Sequence, residues 1–196
     1  MYKILHMEVF FLNYNSYKSA RDASWHFLIE NTISELPVNI SPILKSLNIT
    51  VRKDVTGNLS FGERGYSVFE DDFYQIVVPE CPVPQKRYTI MHEVGHIVMK
   101  HIQGKPEYEY EAERFAIDVL APACVLWGLD IHEPEDIAKL CNISLTSARI
   151  RAERMAVLYK REQEFFRKYG RSCFLQSPLE QKVFKQFEEY IKQNQQ

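Results

Sequence analysis

The hydrophobic pattern of the first half of the chain predicts two helices followed by three strands. Apolar residues recur at helical spacing between about Ser19 and Leu36, which is typical of a helix with one buried face. A shorter helix should follow from Ser41, because serine is a good N-cap and Pro42 suits the first helical position. Strand-like segments, bounded by turn-forming residues, follow at Leu47–Lys53, Gly65–Phe69 and Phe73–Val78.

The second half of the chain has the 3.6-residue period of helices almost throughout. Two helical patterns cover about Lys86–His101 and Glu107–Leu120. The chain then reads as helical from Pro134 onward, with breaks near Asn142 and Gly170. The order helix, strands, helices predicts an α+β domain with a small antiparallel sheet. We expect a core over residues 1–125 and a helical C-terminal region over residues 126–196 that packs on it.

Composition and charge narrow the class of protein. The chain has 196 residues, of which 45% are hydrophobic, and a net charge of −2. A hydrophobic core is therefore expected, and the overall charge gives no electrostatic reason for binding nucleic acid or a membrane. Four scattered cysteines are typical of reduced thiols in a cytosol. The apolar run Met7–Leu12 is interrupted by Glu8 and makes a poor signal peptide, and no segment is long enough to span a membrane, so we expect a cytoplasmic protein.

The segment His92-Glu93-Val94-Gly95-His96 has the pattern H-E-x-x-H. Residues four apart lie one turn apart on the same helix face, so both imidazoles can bind one metal ion. Glu93 lies about 100° around the helix, where it can accept a proton from water rather than bind the metal. This chemistry predicts a zinc site in which His92 and His96 are ligands and Glu93 is the general base.

The residues around the motif support a helix with two different faces. Ile90, Val94, Ile97 and Val98 form an apolar stripe opposite the two histidines, so the helix can bury one side and present the other to a cleft. The alternative is an ordinary amphipathic helix with two partly buried histidines and no metal. His101 lies on the apolar stripe, where we expect a packed or surface histidine rather than a ligand.

The third ligand must come from elsewhere, because a catalytic zinc site of this type uses three protein ligands and keeps one position open. Glu107, Glu109, Glu111 and Glu113 of the next helix all compete for that role. Glu111 borders the apolar arc of its helix, so its side chain can point inward at the edge of a cleft. Asp118 returns to nearly the same face, which suits it to hold a ligand histidine in place. A solvated acidic face would give the same spacing, so periodicity favours Glu111 only modestly.

The spaced motifs resemble the ImmA/IrrE family of metallopeptidases. The matching stretches are Arg87–His96, Glu111–Ala116 and Leu120–Pro122. The family pattern is HELGH, followed by EAN-x-FA and then leucine-leucine-methionine-proline. Glu113 stands where the family often has asparagine, and Ala121 stands where methionine is usual.

The resemblance extends over residues 25–155 and carries expectations about fold and function. It implies a zincin-like metallopeptidase core with Zn²⁺ as cofactor, and it places the family's zinc-binding glutamate on Glu111. It also implies site-specific cleavage of a helix-turn-helix repressor, which is the protein partner we expect. That substrate follows from the resemblance alone.

Residues 135–150 have a helix-turn-helix rhythm that supports a second hypothesis. A turn at Asn142 is followed by a helix with Ser144 as its cap, and Arg149, Arg151 and Arg154 could contact phosphate. The alternative functions are a DNA-binding regulator, or an adaptor that sequesters a repressor without cutting it, each with a structural or inert HExxH. A helix pair of this rhythm more often serves for packing, so we expect it to lie against the core.

Overall fold

The chain begins with a long helix, α1 (Tyr2–Glu30), which packs across α4 (Pro106–Leu120). The computed structural model describes residues 2–55, 59, 65–102 and 105–195, with side chains from residue 16 onward. The helix predicted from Ser19 to Leu36 therefore begins earlier and ends six residues sooner than the periodicity indicated. Phe27 of α1 packs edge-to-face on Phe115 of α4, with ring centroids 5.2 Å apart, so the two helices share one buried face.

The short second helix, α2 (Ile40–Ser46), confirms the predicted element but not its cap. Asn39 is the N-cap, and its side-chain oxygen accepts a hydrogen bond from the backbone N–H of Ser41 at 3.3 Å. Asparagine satisfies an unpaired backbone donor at a helix start as well as serine does. The helix can therefore begin one residue before Ser41.

The three strands are β1 (Ile49–Lys53), β2 (Tyr66–Glu70) and β3 (Phe73–Val78), in the order β1-β3-β2. β2 and β3 are antiparallel, but β1 and β3 are parallel. The prediction of an all-antiparallel sheet is therefore wrong. The reason is the connection before β2, which at twelve residues, 54 to 65, is long enough for the chain to cross to the far side of β3.

The register of the sheet determines which strand residues face the helices. Ser67 lies opposite Ile76 and Phe69 lies opposite Tyr74, so these four side chains share one face. Ile76 is fully buried on that face, which packs on α3 (Val83–Val98). Ser67 therefore points toward α3.

Helix α3 begins three residues before the predicted start at Lys86, with Pro84 in its first turn. Proline is tolerated there because its missing N–H would have no partner within the helix. Helix α4 has Pro106 in the same kind of position. In the described chain α3 and α4 are in extensive contact, and these two helices form the frame on which the site is built.

The remaining elements are helical: α5 (Ala123–Gly128), α6 (Pro134–Cys141), α7 (Leu145–Tyr169), α8 (Pro178–Gln186) and α9 (Glu188–Asn194). The breaks predicted near Asn142 and Gly170 are confirmed, since both residues end a helix in the left-handed conformation, with φ of 50° and 64°. Ser144 caps α7 as predicted, accepting a hydrogen bond from the N–H of Ser147 at 3.2 Å.

The C-terminal helices share one hydrophobic cluster with the strands and the first helices. Ile137, Met155 and Phe187 belong to the same cluster as Met91 and Phe115. Hydrogen bonds add to this packing. The Gln186 side-chain amide donates to the backbone carbonyls of Leu28, in the last turn of α1, and of Ile33, and the Tyr190 hydroxyl donates to the Leu36 carbonyl at 3.1 Å. The division at residue 125 remains a prediction, and the core is continuous across it.

A buried ion cluster joins α4 to α7. The two oxygens of Asp118 accept hydrogen bonds from different arginines, Oδ1 from Arg151 and Oδ2 from Arg114, the latter at 2.7 Å. Burial raises the pKa of the Asp118 carboxyl, but Arg151 and Arg114 outweigh it, so the pKa lies below its usual range. The Arg151 side chain is fully buried, and such a cation requires a carboxylate partner.

No helix in the part of the chain that the structure describes combines the length and the apolar character needed to cross a membrane.

We expect Asp118→Asn to lower the free energy of unfolding by roughly 3–5 kcal/mol, because the change leaves two guanidinium groups without their carboxylate in the protein interior. Urea unfolding would measure the loss. Glu107→Gln is the control, since Glu107 is exposed in the first turn of the same helix and should change stability by less than about 0.5 kcal/mol. Equal unfolding midpoints for the two variants would contradict the proposed importance of the cluster.

Candidate metal centre

Helix α3 presents His92 and His96 one turn apart at a cleft. Their Nε2 atoms lie 3.1 Å from each other, and their rings are edge-to-face with centroids 4.8 Å apart. Ile90 and Val94, on the opposite side of the helix, are buried in the core. The sequence therefore predicted correctly that this helix separates an apolar face from a histidine face, although Ile97 lies at the cleft rather than in the core.

Glu109, in the first turn of α4, completes a group of three possible ligands with the two histidines. Its Oε2 lies 3.2 Å from His92 Nε2, and its Oε1 lies 3.4 Å from His96 Nε2. Atoms bound tetrahedrally to zinc at about 2.0–2.1 Å lie roughly 3.3 Å from one another. Two imidazoles and a carboxylate at these separations thus fit one such ion, and their ligand atoms all lie within 4.8 Å of one another.

The charge states of His96 and Glu109 suit a cation. Burial lowers the pKa of His96, Glu109 opposes the change, and His101 lowers the pKa further. A histidine with a lowered pKa is neutral at pH 7, which is the form that binds metals. Glu109 supplies a negative charge at the exposed edge, with 67% of its side chain accessible.

Glu93 lies in the same cleft but is buried, unlike Glu109. Burial raises the pKa of Glu93 to about 7, a hydrogen bond with Ser67 of β2 lowers it, and the charge of Glu109 raises it. A carboxyl group with a pKa near the working pH can accept a proton in one step and donate it in the next. The structure therefore places a carboxyl group with a raised pKa in the cleft of the candidate ligands, and its role as the general base stays a prediction.

Glu111 differs from the sequence prediction, since the structure does not bring its carboxylate to the two motif histidines. Its Oε2 lies 2.9 Å from Nε2 of His101, and only 14% of its side chain is exposed. Periodicity favoured Glu111 because it borders the buried arc of α4. The carboxylate that lies beside the two histidines is instead that of Glu109, on the exposed side of α4.

Asp118 also differs from its predicted role beside a ligand histidine. Both of its oxygens are engaged by Arg114 and Arg151 in the ion cluster described above. It lies in the last turn of α4, whereas the candidate ligand Glu109 lies in the first. Only one of these two ion pairs could be predicted from the sequence. Arg114 lies four residues before Asp118, which places both on one helix face, but Arg151 comes from a distant helix.

The candidate ligands lie in a cleft of about 840 Å³ between β2 and the ends of α3 and α4. Ser67 and Phe69 form the strand side of the cleft, and Tyr108 and Glu113 lie on the side of α4. In the described chain β2 is an outer strand, with β3 as its partner. The cleft is therefore bordered by an edge strand and is large enough for several residues of an extended chain.

Two of the three arginines proposed to contact DNA have partners within the protein. Arg151 is buried with Asp118, and Arg154 donates to the Tyr17 hydroxyl at 2.6 Å. Arg149 remains exposed at the start of α7. Two of the three cations on which the DNA hypothesis depended are thus used for packing the C-terminal helices on α1 and α4.

The comparison with protein families agrees with this geometry. The model of the family described as IrrE N-terminal-like domain, a peptidase family, matches residues 46–153. These residues contain the three strands, the HExxH helix and the helix with Glu109. Neither a curated protein nor a solved structure matches this chain.

Metal binding should depend on Glu109 more than on Glu111. We expect purified protein to take up about one Zn²⁺ per chain, His92→Ala to lose it, and Glu109→Ala to weaken it by more than roughly 100-fold, which exceeds the usual effect of residues outside the ligand set. Glu111→Ala should weaken it by roughly 10–100-fold. Elemental analysis and competition with a chromophoric chelator would measure both. Loss of the metal in Glu111→Ala but not in Glu109→Ala would show that Glu111, the residue predicted from the sequence, is the third ligand.

Proposed function

Because this chain belongs to the IrrE N-terminal-like domain family of peptidases, we propose that it is a zinc-dependent endopeptidase on a zincin-like scaffold. The observation that carries the proposal is the placement of His92, His96 and Glu109 within ligand distance of one another, with the buried Glu93 in the same cleft. Metal ligands and a proton-transfer group side by side are what hydrolysis of a peptide bond requires.

His92, His96 and Glu109 would hold the ion at the cleft. When bound, zinc acts as a Lewis acid that polarises a carbonyl and lowers the pKa of water to roughly 7. Two neutral imidazoles and one carboxylate would offset only one of the two positive charges of Zn²⁺, so the metal centre would keep a net positive charge. That charge favours the oxyanion that develops when a peptide carbonyl is attacked.

Glu93 would move the proton. Its carboxylate accepts a proton from the attacking water and then donates it to the nitrogen of the leaving amine. A pKa of about 7 suits both steps, because the group is then neither too weak a base nor too weak an acid at neutral pH. Ser67 holds the carboxylate from the strand side through its hydroxyl, so β2 orients the base.

The substrate we propose is a helix-turn-helix repressor, cut at one site. The resemblance in the HExxH and Glu111–Ala116 segments supports this class of substrate. The cleft supports an extended peptide, because β2 has a free edge in the described part of the sheet and an extended segment can pair with such an edge through backbone hydrogen bonds. A repressor segment would therefore have to be unfolded locally where it is cut.

Replacing Glu93 with Gln should separate binding from catalysis. We expect Glu93→Gln to keep its Zn²⁺ and its folded structure but to cleave a co-encoded repressor at least about 100-fold more slowly, because general acid–base catalysis typically contributes 10²–10⁴-fold. Cleavage would be followed by mass spectrometry of the products. Glu107→Gln, a change outside the cleft, serves as the control and should cleave at the wild-type rate.

The same pair of variants distinguishes the alternatives. An adaptor binds the repressor without cutting it, so the wild type and Glu93→Gln would relieve repression of the target promoter equally well. A DNA-binding regulator would bind duplex DNA at low salt, with an affinity that falls steeply as salt rises. Cleavage of the repressor by Glu93→Gln at the wild-type rate would disprove the proposed mechanism.

A further inference from the structure

Next to the candidate ligands, His101 and Glu111 form a second, more buried pair. His101 Nε2 lies 2.9 Å from Glu111 Oε2, and His101 Nδ1 lies 3.1 Å from Nδ1 of His96. Only 4% of the His101 side chain is exposed. Three side chains thus form a continuous line, Glu111–His101–His96, that ends on the ring nitrogen of His96 facing away from the proposed metal.

We propose that His101 is a positioning residue that fixes the ring of His96 for metal binding, and that Glu111 in turn fixes His101. The proposal rests on the proposed function only in requiring a metal at His92, His96 and Glu109. It requires no hydrolysis. Glu111 and His101 act through His96 and do not themselves touch the metal.

Only one placement of the protons satisfies all the hydrogen bonds in this line. A metal on Nε2 of His96 leaves its Nδ1 as an N–H donor. Nδ1 of a neutral His101 then accepts that bond, so its own proton lies on Nε2. That N–H donates to the Glu111 carboxylate, and every polar atom along the line has a partner. A carboxylate behind a ligand histidine raises the basicity of the ligand and fixes its orientation, here through one intervening imidazole.

The backbone places His101 where this line needs it. At the end of α3, Lys100 adopts a left-handed conformation with φ of 56°. The Lys100 N–H donates to the Ile97 carbonyl at 3.2 Å, and the His101 N–H donates to the His96 carbonyl at 3.0 Å. These two bonds form a Schellman motif, which reverses the chain at the helix end. His101 is therefore bonded to His96 through its backbone as well as through its ring.

Stacking fixes the orientation of the His101 ring. The ring of Tyr108 lies parallel to it, with centroids 4.4 Å apart and an interplanar angle of 6°. Tyr108 belongs to α4, one residue before Glu109. Since the ring is held on one face by Tyr108 and at its edges by Glu111 and His96, it has little freedom to rotate.

The test uses three variants of the full chain and a matched control. His101→Phe keeps a flat ring that can stack on Tyr108 but has no ring nitrogen. His101→Asn restores a polar atom close to the position of Nδ1. Glu111→Gln keeps the shape of Glu111 and removes its charge, and His26→Phe makes the same substitution at an exposed histidine on α1.

Zn²⁺ affinity would be measured by chelator competition, and the tautomer of His96 by ¹⁵N NMR of the zinc-loaded protein. We expect His101→Phe to weaken Zn²⁺ binding by roughly 10–100-fold in a zinc-free protein that stays folded and still unfolds cooperatively. His101→Asn should recover part of the loss, and Glu111→Gln should lose less than His101→Phe. The His96 Nδ1–H signal should be protected from exchange in the wild type and not in His101→Phe. His26→Phe should match the wild type in every measurement.

Wild-type affinity in His101→Phe would overturn the inference and leave the proposed function intact. So would complete loss of Zn²⁺ in Glu111→Gln beside full binding in His101→Phe, because Glu111 would then be a direct ligand. A wild-type protein that binds no Zn²⁺ would overturn both. A protein that binds Zn²⁺ with the expected pattern but cleaves no repressor would remove only the proposed function.

Discussion

The close contact of α3 with α4 at Gly95 is the constraint on which the site depends. A Cβ atom at this position would lie 3.0 Å from Cδ1 of Phe115 and 3.3 Å from Cα of Ala112. Both contacts are tighter than ordinary van der Waals distances, and one is with backbone, which cannot move aside alone. Glycine lets the helix backbones approach, and this approach brings Glu109 to the histidines on either side of Gly95. The motif therefore contributes in two ways, since its histidines are candidate ligands and its glycine sets their distance to the third candidate, Glu109.

Much of this arrangement could be predicted from sequence, because it depends on local rules. Strand β3 has the predicted bounds, and the ends of α6 and α7 lie where Asn142 and Gly170 indicated. The histidines and Glu93 share a helix, so a period of 3.6 residues is enough to place them together. Where a prediction needed the distance between two elements, sequence was insufficient. The parallel pairing of β1 with β3 and the choice between Glu109 and Glu111 both depend on tertiary placement.

Helix α4 connects the two polar centres of the molecule. Its first turn carries Glu109 at the open cleft, and its last turn carries Asp118 in the buried ion cluster with α7. Arg87 of α3 makes a similar link, donating to the carbonyls of Val38 and Asn142 at 2.7 and 3.1 Å. The C-terminal helices thus contact both helices that carry the candidate ligands. Their role in the fold is to hold α3 and α4 in place from behind, which explains why Arg151 and Arg154 of α7 point inward.

The chain reversal at Lys100 couples the metal centre to the end of a helix. A helix terminus in isolation frays, opening its last hydrogen bonds on a fast timescale. Here the carbonyls of His96 and Ile97 accept the hydrogen bonds that close the helix, so opening of the helix end would displace His101 and release the ring of His96, a candidate ligand. Binding a metal must then stabilise the closed end by the same free energy that the closed end adds to metal affinity. If a metal binds at this candidate site, we expect the amide hydrogens of Lys100 and His101 to exchange with solvent more slowly as the site fills.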